Sequence, residues 1–257
     1  MLIRSMLIGV FCYLGALSVP WAGGLTGGWY TLSRPLVSGM IVGTILGDIQ
    51  QGIIIGVAVQ AVYIAMITPG GTMPADLNFV AYPAIALGIL SGSDPKVAVT
   101  LASTIGILGT IIHNFTMVTN SAFNHMGDKA VEAGDLKGIV RANAVYPQIL
   151  TFLVRFIPTV IAVHFGAPYI DSIMNSLPQT VIDAMAVLGG MLPALGVGIL
   201  LTQIIKDYSL FVFFLVGYIA IVFLQLNMIA LAIVGACLAL IHFKYSSTAD
   251  TNEEAIL

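Results

Sequence analysis

The sequence predicts an all-α, polytopic membrane protein with short re-entrant or discontinuous helix pairs, and three observations lead to this fold class. Hydrophobic residues make up 58% of the 257 residues and charged residues only 8%, whereas soluble domains carry about 25% charged residues. Several apolar runs are too short to cross a bilayer and are joined by polar turns. Glycine recurs every fourth residue in two of these runs, a spacing that lets membrane helices pack closely.

The charged and reactive residues exclude several classes of function. The net charge is only −3, and the lack of a basic cluster argues against nucleic acid as a partner. Cys12, Cys237 and the histidines do not have the spacing of a metal site or of a nucleophile pair. We therefore expect no catalytic residue, no metal and no cofactor.

The predicted domain organisation is simple. A single membrane-embedded domain covers residues 1–245, and the polar, acidic residues 246–257 form a disordered tail because they cannot contribute to a core. Met6 to Val19 is the first membrane segment. The aromatic residues of the glycine-rich loop that follows it are interfacial anchors.

Residues 34–83 predict a hairpin that lies within the membrane. Leu36 to Leu46 would extend about 16 Å as a helix, and Ile53 to Ile67 about 22 Å. Both lengths are less than the roughly 30 Å of the hydrocarbon core. The polar turn from Gly47 to Gly52 joins the two runs. Such interrupted helices must be buried in protein or line a wet cavity.

Two glycine stripes predict how the halves of this hairpin pack. Gly39, Gly43 and Gly47 share one helical face of the first half, and Gly52 and Gly56 repeat the spacing in the second half. Because glycine has no side chain, both stripes should let the two backbones approach closely.

Asp76 is the first candidate for a ligand contact. It ends the loop from Thr68 to Asp76, whose prolines and glycines prevent regular helix. A carboxylate between membrane segments is costly and usually functional, and when ionised it can accept hydrogen bonds from two hydroxyl groups. The alternative is that Asp76 caps the helix that begins near Leu77. One side chain can also fill both roles.

Three further polar residues complete the candidate site. Gln60 is the one strongly polar side chain of its apolar run, and its amide can bind a hydroxyl group, an acetamido group or a neighbouring helix. Tyr63 lies three residues further on, near the same face, where packing is favoured over ligand binding. Asn78, near Asp76 in the sequence, is a second candidate for a polar contact with the ligand.

The central segments predict the sidedness of the chain. The length of Val97 to Ile112 approaches the lower limit for a membrane span. The charged loop from Ala122 to Gly138 contains Lys129 and Lys137, and these lysines place it in the cytoplasm. The next segment carries Arg141, Gln148 and Arg155 at seven-residue intervals, hence on one face that should meet protein. Ordinary helix contacts and the positive-inside bias account for the two arginines.

An interruption like that of the hairpin recurs late in the chain. The apolar run from Leu210 to Phe243 is broken once, at Gln225 to Asn227. This break resembles the turn at Asp48, which we expect to cap the helix that follows it. The paired interruptions indicate a weak internal repeat.

Five sequence blocks occur in a specific order: RPLVSGMIVGTILGD, GIIIGVAVQ, PADLNFVAYPAIALG, DKAVEAGDL and FLQLNMIALAIVGACLAL. Together they resemble the IIC subunit of the mannose, fructose and sorbose family of the bacterial phosphotransferase system. The resemblance implies a multi-pass sugar permease of the cytoplasmic (inner) membrane, in a hetero-oligomer with several copies of the IID membrane subunit. Cytoplasmic IIA and IIB proteins would relay phosphate to the sugar, so the relay residues lie on other subunits.

The resemblance also implies a substrate. The mannose branch carries a glutamate at the position of Gln60, where it contacts the sugar. The block TPGGTMPADLNFVAYPA resembles instead the branch that takes N-acetylgalactosamine or related amino sugars. We therefore expect an amino sugar, with mannose, fructose or sorbose as alternatives. An ion-coupled secondary sugar transporter is the alternative of another class, because broken helices with an embedded acid also suit sodium or proton sites.

Overall fold

The computed structural model of the chain describes residues 1–66, 75–92, 94–205 and 210–254, and throughout these residues the regular structure is helical. The all-α prediction is therefore confirmed. The chain divides into two compact units, residues 1–200 and residues 201–257. The prediction of a single domain over residues 1–245 stays a prediction.

The first unit contains the hairpin and most of the long helices. Its helices are α1 (Leu2–Ala16), α2 (Gly24–Gly27), α3 (Pro35–Leu46), α4 (Ile49–Val62), α5 (Leu77–Ala81), α6 (Pro83–Leu90), α7 (Pro95–Glu132), α8 (Leu136–Val140), α9 (Tyr146–Ser176) and α10 (Gln179–Ile204), which runs past the boundary between the units. Short π-helical turns lie at Gly28–Leu32 and Arg141–Val145, and a 3₁₀ turn at Pro20–Ala22.

Helices α3 and α4 form the predicted hairpin, and they pack backbone against backbone. A Cβ atom on Gly52 would stand 2.8 Å from the Cα of Gly43, and one on Gly56 would stand 2.5 Å from the carbonyl oxygen of Pro35. A Cβ atom on Gly39 would overlap the carbonyl oxygen of Gly52. Close packing of the two stripes is thus confirmed, because no side chain larger than hydrogen fits at these positions.

The turn of the hairpin is shorter than predicted. Gly47 does not belong to the packing stripe, since it ends α3 in the left-handed region with φ +96° and has no atom nearby for a Cβ to meet. Asp48 caps α4, as expected, by accepting a hydrogen bond from the backbone N–H of Gln51 at 2.9 Å. Helix α4 therefore already includes Gln51 and Gly52, which the sequence had placed in the turn.

Three helical stretches of the described residues are long and apolar enough to cross a membrane. They are α7, the continuous stretch from the start of α8 to Gly166 in α9, and α10. At 38 residues α7 is about 57 Å long. The prediction of a loop at Ala122 to Gly138 is wrong, because α7 continues to Glu132 and α8 begins at Leu136. Charge alone does not end a helix, and this stretch of α7 contains one glycine and no proline.

The predicted common face of Arg141, Gln148 and Arg155 is only partly correct. Gln148 and Arg155 lie on the regular helix α9, but Arg141 begins the π-helical turn and is exposed. A π-helical turn holds more residues than an α-helical turn, so the seven-residue interval from Arg141 to Gln148 does not return to the same face.

The second unit contains α11 (Phe211–Val222) and α12 (Met228–Glu254). Asn227 caps α12 by accepting hydrogen bonds from the N–H groups of Ile229 and Ala230 at 2.7 and 3.0 Å. The predicted break is confirmed, while the internal repeat stays a prediction. Helix α12 also enters the predicted disordered tail as far as Glu254, because no proline or glycine follows Gly235 to end it.

The core of the first unit surrounds α5 and α6. Both helices are buried along most of their length. They meet at Tyr82 and Pro83, where proline removes one backbone hydrogen bond and favours a break. The hydroxyl group of Tyr82 donates a 2.8 Å hydrogen bond to the carbonyl oxygen of Leu32. Residues 75 and 76, which lead into α5, are buried as well.

Candidate functional site

Asp76 begins α5 and caps it. Its backbone is extended, with φ −87° and ψ 107°, as is usual for a residue that precedes a helix. Its Oδ1 accepts hydrogen bonds from the N–H groups of Asn78 at 3.0 Å and Phe79 at 3.4 Å. The capping role considered from the sequence is confirmed. The loop residues 67–74, which precede it, lie outside the described part of the chain.

The second carboxylate oxygen of Asp76 forms an ion pair with Arg155 of α9. The Nη1 of Arg155 donates to Oδ2 of Asp76, and the two side chains are 7% and 1% exposed. The guanidinium carbon lies 5.2 Å from the centre of the Phe79 ring, within the range of a cation–π contact. Among the described residues, Asp76 and Arg155 form the ion pair in which both side chains are buried.

Sequence reasoning missed this role of Arg155, although a signal was present. An arginine in the middle of an apolar segment requires a partner for its charge, and few carboxylates of the chain lie between apolar segments. Asp76 was the strongest of these candidates. The pairing of the two residues could have been proposed, but the sequence separation of 79 residues gave no indication of their contact.

Helix α7 holds the same region from another side. The backbone N–H of Asp76 donates a 3.1 Å hydrogen bond to the carbonyl oxygen of Gly106. A Cβ atom at Gly109 would stand 2.8 Å from the Cβ of Asp76, so glycine is what allows α5 to approach α7 this closely. The hydroxyl group of Tyr63, just after α4, lies against the same stretch of α7, 3.4 Å from the position of a Cβ atom built at Gly106. The structure thus brings Tyr63 and Asp76 to one short segment of α7.

Gln60 lies one helical turn after Gly56, on the face of α4 that packs against α3. Because Gly56 already faces Pro35 at the first turn of α3, Gln60 extends beyond the packed part of the hairpin. Its Oε1 is buried and has no hydrogen-bond partner among the described residues. An unpaired buried acceptor costs about 1–3 kcal/mol, so this oxygen needs a donor that the described residues do not supply.

Asn78 has a different environment from the other candidates. Its side chain is buried against α1, where the hydroxyl group of Ser33 lies 3.2 Å from its Oδ1 and 2.9 Å from the carbonyl oxygen of Gly15. The thiol of Cys12 lies 3.8 Å from its backbone carbonyl oxygen. These contacts fix α5 to α1. They favour an anchoring role for Asn78, and its predicted ligand contact stays a prediction.

The chemistry of these groups is that of recognition. A carboxylate, an amide and a phenol, placed in an otherwise apolar surrounding, can fix the orientation of a polar ligand through hydrogen bonds. The long apolar helices and the glycine-packed hairpin are typical of a multi-pass membrane protein, and these polar groups lie among them.

Comparison with known proteins identifies the family. A family model described as the sorbose-specific IIC component of the phosphotransferase system (EII-Sor) matches residues 2–241. The chain therefore belongs to the mannose and sorbose family of phosphotransferase-system IIC components, and it is a sugar-specific permease of the bacterial membrane. It is a transport subunit rather than a phosphoryl carrier. The alternative of an ion-coupled transporter is replaced by this assignment.

Individual relatives carry different sugar names. The chain is 23% identical to the mannose-specific EIIC component of Escherichia coli K12, covering 84% of this chain and 81% of the relative. It is 25% identical to the fructose permease IIC component of Bacillus subtilis, covering 81% and 77%. It is 26% identical to N-acetylgalactosamine permease IIC component 1 of Escherichia coli K12, covering 82% and 79%. These identities are too similar to distinguish the sugar.

Solved structures share the fold. A chain described as a membrane protein superposes with a TM-score of 0.78 at 23% identity, covering 94% of this chain and 95% of the other. A chain of the mannose transporter ManYZ, solved in complex with microcin E492, superposes with a TM-score of 0.55 at 23% identity, covering 95% and 94%. Both comparisons support the all-α membrane fold.

Proposed function

We propose that this chain is the IIC subunit that binds an amino sugar, N-acetylgalactosamine, and moves it across the membrane for phosphorylation by a IIB protein. The family assignment supports the role of a sugar permease. The choice of substrate is inferred from the candidate side chains at and after the end of α4. Among these, Gln60 carries the argument.

The buried Oε1 of Gln60 lacks a donor among the described residues. A ring hydroxyl group of an N-acetylated sugar can supply this donor, while the NH₂ group of Gln60 donates to the acetamido carbonyl oxygen. A glutamate at this position would only accept hydrogen bonds when ionised, which suits the hydroxyl groups of a plain hexose. The amide therefore matches an N-acetylated sugar, which presents a hydroxyl donor and the acetamido carbonyl acceptor.

We assign supporting roles in the same site to the other candidates. Asp76, held by its cap and its ion pair, accepts a hydrogen bond from a hydroxyl group of the sugar. Tyr63 closes the space between α4 and α7 and contacts the sugar ring from the side of α7. Asn78 supports the start of α5 and contributes a second polar group. The hydrogen bonds of Asp76 and Asn78 support this division.

The proposed partners are the IID membrane subunit and the cytoplasmic IIB and IIA phosphocarriers, in an assembly with several copies of IIC and IID. Many large apolar side chains of the described helices are exposed, Val118, Val187 and Ile229 among them. Lipid or protein must cover such surfaces.

Purified alone, the chain should show no phosphorylation-linked transport. We expect uptake of N-acetylgalactosamine in vesicles only when IID, IIB, IIA and a phosphoenolpyruvate-derived phosphoryl donor are all present. Accumulation of unmodified sugar by this chain alone would contradict the proposed role.

Gln60→Glu should reverse the sugar preference. Because the carboxylate no longer donates to the acetamido carbonyl, affinity for N-acetylgalactosamine should fall about tenfold, equivalent to about 1.4 kcal/mol for one lost hydrogen bond. Affinity for mannose should rise or stay constant. Titration calorimetry of the purified IIC–IID assembly with both sugars measures the two dissociation constants.

Gln51→Glu is the matched control, since Gln51 lies on the same helix but near its other end. This variant should bind both sugars like the wild type. Unchanged affinity of the Gln60→Glu variant for N-acetylgalactosamine, with the assembly intact, would show that the acetamido group binds elsewhere.

A further inference from the structure

The ion pair between Asp76 and Arg155 is not what stability alone would select. Two charges that leave water lose their hydration, and a well-packed apolar pair of similar volume is often equally stable or more stable. The cost is higher in a membrane protein, where intramembrane arginine and aspartate are rare and usually mark a functional site. The presence of this pair at the start of α5 therefore calls for a role besides packing.

The contacts of the carboxylate indicate such a role. Asp76 uses Oδ1 for the N–H groups of Asn78 and Phe79, and Oδ2 for Arg155. An ionised carboxylate has about four acceptor positions. Among the described residues, one position of Oδ2 thus remains for a further donor. The hydrogen bond from the guanidinium fixes the plane in which that position points.

Arg155 is itself fixed. Its guanidinium stands over the Phe79 ring of α5, and Thr159, one turn further along α9, is fully buried. Arg155 therefore connects α9 to both Asp76 and Phe79 of α5. The hydrogen bond of Asp76 to Gly106 connects the same residue to α7. Among the described residues, Arg155 is the side chain of α9 that is bonded to Oδ2 of Asp76.

We propose that Arg155 is a positioning residue for sugar binding. Its guanidinium orients Asp76 so that the remaining acceptor position of Oδ2 meets a hydroxyl group of the sugar. This inference rests on the proposed function, since it assigns Arg155 to the same sugar site. It differs from that proposal because Arg155 does not touch the sugar.

The test compares variants of the intact IIC–IID assembly. Arg155→Met should weaken N-acetylgalactosamine binding tenfold or more, while Arg155→Lys, which keeps a charge but loses the planar fork, should restore part of the loss. The double variant Asp76→Asn/Arg155→Met removes both charges. We expect its assembly and its thermal unfolding to be closer to those of the wild type than those of either single variant. Its affinity for the sugar should nevertheless remain at least tenfold weaker than that of the wild type.

Arg141→Met is the matched control, because Arg141 belongs to the same segment of the chain but is exposed and forms no ion pair within the described residues. It should bind sugar normally. The proposal is overturned if Arg155→Met binds sugar like the wild type, or if the double variant regains both assembly and full sugar affinity, which would make the pair purely structural. Absence of sugar binding by the wild-type assembly would instead refute the proposed function.

Discussion

Gly52→Val should prevent the hairpin from forming and abolish assembly of the permease. Because a Cβ atom at this position meets the backbone of Gly43 and Gly39 rather than a movable side chain, the two helices must separate. We expect a destabilisation at or above the upper end of the about 1 to 3 kcal/mol typical of overpacking. Size-exclusion chromatography of the IIC–IID assembly and its thermal unfolding midpoint measure the effect.

Gly198→Val provides the control for this prediction. Gly198 also lies within an apolar helix, α10, but a Cβ atom there meets no atom of the described structure within 4 Å. This variant should assemble normally and unfold within a few degrees of the wild type. If Gly52→Val behaves like Gly198→Val, the close contact between α3 and α4 is not what holds the hairpin.

Asp76→Asn should have the second large effect, on both stability and sugar binding. Asparagine still caps α5, but Arg155 is left buried without a counter-charge, and removal of one partner of a buried pair costs about 3–5 kcal/mol. The same change removes the charged acceptor proposed for the sugar. We expect a lower thermal midpoint and a loss of N-acetylgalactosamine affinity of at least tenfold.

Asp48→Asn is the matched control for Asp76→Asn. Asp48 also caps a helix, through Gln51, but it is exposed and has no ion-pair partner among the described residues. Because asparagine and aspartate cap helices about equally well, stability and sugar binding should both be retained. A stable Asp76→Asn variant with normal affinity would show that neither the ion pair nor the charge matters.

The parts of the fold that follow from local chemistry could be predicted. The caps at Asp48 and Asp76 depend on the next three residues, and the close packing of α3 on α4 depends on glycine spacing within one short segment. Helix ends that lack such a signal could not be predicted. Helix α7 continues to Glu132 because its polar end contains no strong helix breaker. Polarity alone does not distinguish an exposed helix end from a loop.

The candidate site shows the same division. Gln60 and Asp76 stand out in the sequence because polar groups are costly between membrane segments. The contact of Arg155 with Asp76 depends on how α9 packs against α5. The sequence of α9 alone does not predict that packing, so Arg155 could not be assigned to the site. The anchoring of Asn78 by Ser33 likewise arises only when α1 and α5 come together.

The most direct test is a high-resolution structure of the IIC–IID assembly with N-acetylgalactosamine bound. We predict that the acetamido carbonyl oxygen lies within hydrogen-bond distance of the Gln60 Nε2. Ring hydroxyl groups should donate to the Gln60 Oε1 and to the Asp76 Oδ2, while Arg155 remains paired with Asp76. A sugar bound away from the end of α4, with Gln60 satisfied by residues of the protein itself, would contradict the account.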